Sequence, residues 1–144
     1  MLNINNTNDE HLSTLIVAKP GLMRNSLVAY LRGVMAIEIV ALADDTLAGL
    51  LASRQNHPQV LLMDADISEE ETLWLMRQLR CEQPAVNFIV LTDHVSQRQL
   101  FITAGANQVL LKGFLDERLR RAILPQEKDQ KVNLIGQSHL VAQA

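Results

Sequence analysis

The chain has 144 residues, of which 48% are hydrophobic and 20% charged, so it can form one domain around its own core. Aromatic residues are only 3%, which makes that core aliphatic, and a net charge of -3 argues against a nucleic-acid surface spread over the whole domain. The single cysteine, Cys81, excludes an internal disulfide, and neither it nor the scattered His11, His57, His94 and His139 offers a zinc-type spacing.

The first stretch, MLNINNTNDEHL, is polar and reads as a flexible N-terminal tail over 1–12. It lacks the basic and apolar regions of a signal peptide, and no apolar run reaches the roughly 18 residues of a membrane span. A cytoplasmic protein with no membrane contact is therefore expected.

Short apolar runs then alternate with helical patterns. A first strand is expected over Thr14–Ala18 and a helix over Met23–Arg32, with Leu27, Tyr30 and Leu31 on one face. IEIVALA, residues 37–43, has the β-branched content of a second strand, and Asp45 and Thr46 mark the next helix start. QVLLMD, residues 59–64, is a continuous apolar run that stops at an acid. SEEE, residues 68–71, has capping-box spacing with Ser68 as the cap, and its acids suit the positive end of a helix. NFIVLT, residues 87–92, is a fourth strand. A short helix over 96–104 is broken by Gly105, QVLLK at 108–112 is a fifth strand, and LDERLRRAIL at 115–124 is the last helix before Pro125.

Continuous apolar strands alternating with helices indicate an α/β fold, a parallel sheet covered on both faces. The domain is expected over 13–124, with 125–144 as a C-terminal tail or truncated linker. In an open sheet of this kind ligands bind at the carboxyl ends of the strands, near the switch point of the order 2-1-3-4-5. The polar residues that end the strands are Lys19, Asp64, Thr92 and Lys112, separated by tens of positions but gathered by such a fold.

With PQVLLMD, FIVLTDH and AGANQVLLKG in this register, the chain from about Leu15 to Ile123 resembles a response-regulator receiver domain of bacterial two-component signalling, most closely the LuxR-type receivers. The resemblance implies a flavodoxin-like fold with Asp64 as phosphoacceptor, Thr92 as the switch hydroxyl and Lys112 as the cation for the phosphoryl oxygens. It implies that the domain is not an enzyme. Its expected partners are a histidine kinase or other signalling protein and, as a homodimer, a second copy. The chain itself is not expected to bind nucleic acid. A carboxylate can accept a phosphoryl group as an acyl phosphate, in a reaction governed by positioning and charge neutralisation.

Family members also use Mg²⁺, held by an acid pair after strand one and by the phosphoacceptor. Here the acid-pair positions are Ala18 and Lys19. Asp93 follows the switch threonine, Val109 stands at the aromatic switch position, and Ser68 and Thr72 replace the proline and glycine after the phosphoacceptor. Asp64 and Asp66 are the side chains left for a metal, and Asp44 and Asp45 are expected to cap the following helix. No cofactor is expected, and metal-dependent phosphorylation of Asp64 is expected to be impaired. Two placements of Lys19 stay open: an ion pair with Asp64, worth roughly 4 kcal/mol at 4 Å and an effective dielectric of 20, or extension into solvent. The other readings are a phosphorylation-independent interaction module (a pseudo-receiver) and a flavodoxin-like nucleotide-binding protein. The latter would want a hydroxyl- or glycine-rich loop where the chain has AKPGLMRN. Arg118, Arg120 and Arg121 read as a solvated basic stripe.

Overall fold

The computed structural model describes residues 11–114 and 116–124. Within them five strands alternate with five helices: β1 (Leu12–Val17), α1 (Leu22–Arg32), β2 (Ile37–Ala43), α2 (Thr46–Asn56), β3 (Val60–Asp64), α3 (Glu69–Glu82), β4 (Asn87–Thr92), α4 (Arg98–Ala104), β5 (Gln108–Leu111) and α5 (Asp116–Ile123). Short 3-10 turns, Val95–Gln97 and Lys112–Phe114, lead into α4 and out of β5. All strand pairs are parallel and the order is β2-β1-β3-β4-β5, as the alternation implied. No helix of the described residues is long and apolar enough to cross a membrane.

Boundaries follow local chemistry. Asp45 accepts the Ala48 N–H at 2.8 Å and caps α2, and Ser68 Oγ accepts the Glu71 N–H at 3.2 Å and caps α3. The Glu71 carboxylate accepts from Thr46 Oγ1 at 3.1 Å, so the two helix starts are tied to each other. β1 begins at Leu12, two residues before the expected Thr14, because Leu12 N–H reaches Ala36 O at 2.8 Å and opens the ladder with β2. Residues 1–10 of the expected tail, and 125–144, lie outside the described residues. Ala18 falls just past β1 and Lys112 just past β5.

The period of two along the strands divides the core. Leu15, Val17, Leu61, Met63, Phe88 and Val90 face α2, α3 and α4, with Leu50, Leu75, Met76, Leu79 and Phe101. Ile16, Ala18, Leu62, Ile89 and Leu91 face α1 and α5, with Leu27, Leu31, Leu119 and Ile123. α2 lies so close to β1 that a Cβ on Gly49 would come within 2.8 Å of Val17 Cγ2, so only glycine fits there.

The lower end of the sheet, opposite the strand ends of interest, is held by Arg80 of α3. Its guanidinium donates to Gly105 O at 3.1 and 2.7 Å, to Pro84 O at 3.0 Å, to Val86 O at 2.9 Å and to the Asn107 side chain. Gly105 closes α4 at φ 121°, and Arg80 Nε lies 3.4 Å from where its Cβ would be. Arg80→Ala strips a charged donor from the part-buried carbonyls of Val86 and Gly105 at once. A loss of about 2–3 kcal/mol is expected, read as a lower urea midpoint with an unchanged slope.

Candidate functional site

β3 is buried at all five positions, and its last residue, Asp64, is only 8% exposed. A carboxylate held that deep requires partners. One is the Asp66 N–H, which donates to Asp64 Oδ1 at 2.9 Å. The other is Lys112, whose Nζ lies 2.5 Å from the same oxygen. Lys112 comes from beyond β5 and so reaches over the end of β4, the strand between them. The same Nζ lies 2.5 Å from Asp66 Oδ2 and 4.0 Å from Asp93 Oδ2. One ammonium therefore serves three carboxylates, and the cluster is net negative. Burial would push the Lys112 ammonium down, but the carboxylates of Asp64 and Asp66 outweigh it and hold it above the ordinary lysine range.

Thr92, at the end of β4, is buried, and its hydroxyl is engaged both as donor and as acceptor. Oγ1 donates to Gln97 Oε1 at 2.6 Å and accepts the His94 N–H at 3.0 Å. Asp64, Thr92 and Lys112 thus end adjacent strands, as their spacing implied. Val109 is buried against the α2–α4 side of the core.

The end of β1 is different. Ala18 is buried, and its carbonyl accepts from Arg24 Nη1 of α1 at 3.1 Å. The same nitrogen lies 2.6 Å from Asp44 Oδ1. Asp44 is thus an ion-pair partner, and only Asp45 of the expected capping pair is the cap. Lys19 is exposed, and among the described residues no ion pair joins it to Asp64. Of its two open placements the structure has the solvent one. The reason is physical: Lys112 already satisfies Asp64, while Pro20 and Gly21 carry the chain outward and leave the Lys19 ammonium its hydration. Arg24 and Gln97 were missed in sequence. Arg24 could have been suspected as a cation in the first turn of α1, facing an acid at the end of the neighbouring strand. Gln97 carries no such signal.

These donors do not suit a divalent metal. Ala18 supplies only a carbonyl, already taken by Arg24, and Asp64 and Asp66 both engage Lys112. Among the described residues no group of three Asp, Glu, His or Cys side chains is placed to hold one. Cys81 is exposed in the last turn of α3.

Residues 14–124 match the family model of the response regulator receiver domain. No curated protein matches the sequence significantly. Among solved structures, the chain resembles a LuxR-family two-component response regulator from Aurantimonas sp. SI85-9A1, at 20% identity and TM-score 0.71 over 81% of this chain and 84% of that one. It also resembles the REC domain of AraT, a response regulator from Geobacillus stearothermophilus, at 24% identity and TM-score 0.70 over 85% and 98%. A third is the receiver domain of the Saccharomyces cerevisiae response regulator Ssk1, solved with the histidine phosphotransfer protein Ypd1, at 19% identity and TM-score 0.68 over 79% and 87%.

Because the folded Lys112 is raised, its contribution to stability is complete below the unfolded lysine value of about 10.4 and is lost as pH rises through the folded one. Lys112→Met should remove that alkaline loss and, by leaving Asp64 buried without its cation, cost about 3 kcal/mol near neutrality. Urea melts of both proteins at neutral and alkaline pH check both effects.

Proposed function

This chain belongs to the response regulator receiver domain family of two-component signalling, and from that premise we propose a receiver in which metal-dependent phosphorylation of Asp64 is impaired. The observation that carries the proposal is Lys112, held between Asp64 and Asp66 at 2.5 Å each, beside a β1 end that brings no carboxylate. In phosphoryl transfer to Asp64, a carboxylate oxygen attacks phosphorus, the bond to the donor breaks, and the leaving group departs with its electron pair. The charge on the phosphoryl oxygens then has to be met by fixed cations. Lys112 is the cation present, and it is already shared with Asp66. Lys19 extends into solvent, and Arg24 is turned to Ala18 and Asp44.

The domain's working form on this reading is the unphosphorylated fold, used as a protein-interaction module without catalysis of its own. Its partner class is a histidine kinase, a phosphotransfer protein or another signalling protein. The likeness to Ssk1, solved with Ypd1, supports that class. No cofactor is required.

Incubation with Mg²⁺ and acetyl phosphate, followed by intact mass, checks the proposal, with Asp64→Asn as the control. Little or no phosphoryl adduct is expected on the natural chain. The pair Ala18→Asp and Lys19→Asp should raise adduct formation by at least about tenfold, a change of roughly 1.4 kcal/mol in the barrier. A stoichiometric Asp64 adduct on the natural chain at ordinary Mg²⁺ sinks it.

A further inference from the structure

From Asp93 to Leu100 every residue is exposed except Gln97, which is half-buried. Its amide is turned inward between two elements. Oε1 accepts from Thr92 Oγ1 at 2.6 Å, and Nε2 donates to Glu69 Oε2, in the first turn of α3, at 3.3 Å. A carboxylate can only accept, so Glu69 fixes which end of the amide faces Thr92. The oxygen faces the hydroxyl, and the one proton of that hydroxyl is spent on Gln97. Thr92 Oγ1 keeps an acceptor position for His94 N–H at 3.0 Å and has no second proton to offer toward Asp64.

We infer that Gln97 is a positioning residue that holds the Thr92 hydroxyl proton away from the Asp64 pocket and ties residues 93–97 to α3. The inference rests on the reading of Asp64 as phosphoacceptor. An anion on Asp64 gains the Thr92 donor only when the bond to Gln97 is given up. Strand β5 supplies no ring to follow the hydroxyl, because Val109 is small and buried. The side chain that meets the hydroxyl is Gln97, and it belongs to the turn that carries Val95. Val95 and Arg98 line a surface cavity of about 210 Å³ together with Val109 and Leu111. Release of Gln97 therefore reshapes that cavity, so the occupancy of Asp64 is read out through an amide instead of an aromatic ring.

Two measurements on the full chain test this. In the first, amide hydrogen exchange is followed by NMR for Gln97→Ala, Thr92→Val and the double variant. Gln97→Ala should speed exchange of the His94 amide about tenfold, although the acceptor of that amide, Thr92 Oγ1, is untouched. The double variant should exchange no faster than the quicker single. Unchanged exchange in Gln97→Ala, or additive effects, overturns the inference. In the second, Gln97→Ala is placed on the Ala18→Asp, Lys19→Asp background and the acetyl phosphate adduct is timed. A gain of about tenfold that disappears with Thr92→Val is expected, which a merely structural role would not produce. An adduct that forms at an unchanged or slower rate overturns the inference alone. No adduct in any variant overturns it together with the reading of Asp64.

Discussion

The ion pair between Asp64 and Lys112 is the constraint around which the upper end of this domain is arranged. A five-residue strand with no exposed position delivers a carboxylate to the edge of the core, where burying it is costly unless a cation pairs with it. Lys112 can serve because only β4 lies between β5 and β3, and a four-carbon stem spans the end of β4. Its own burial would disfavour the charge, but the carboxylates restore it. The pair is thus mutual: each member is buried because the other is there.

Around that pair the polar groups have been assigned to one another inside the chain. Asp66 turns back on Lys112, its own N–H donates to Asp64, and Thr92 is claimed by Gln97. At the β1 end the guanidinium of Arg24 joins a strand-end carbonyl to the acid of the next strand. Arg24 does at that edge part of what a bound cation does, organising oxygens from neighbouring strands through a single nitrogen, Nη1.

Much of this was legible in sequence, for identifiable reasons. IEIVALA and NFIVLT appear as strands with their expected bounds, the first through its β-branched content at the sheet edge and the second as a nearly continuous apolar run buried at five of six positions. The caps at Asp45 and Ser68 were legible because capping is a short-range event, settled within four residues. The placing of Asp64, Thr92 and Lys112 at the ends of adjacent strands followed from fold order. Side-chain choice did not. Whether Asp64 takes Lys19 or Lys112 depends on which ammonium loses less hydration, and nothing in the local spelling of AKPG or LLKG decides it. Arg24 and Gln97 act through contacts 20 and 28 positions apart, with Asp44 and Glu69, between elements whose proximity only the folded sheet creates.

Arg80 gives the upper rearrangement a mechanical context. It grips the carbonyl of Gly105 at the carboxyl end of α4, Phe101 is fully buried within that seven-residue helix, and Gln97 just before it bonds Thr92 and Glu69. If the Gln97 contact with Thr92 is given up, as inferred above, the hold of Arg80 and Phe101 on the rest of α4 remains, and the change is confined to the exposed turn that carries Val95.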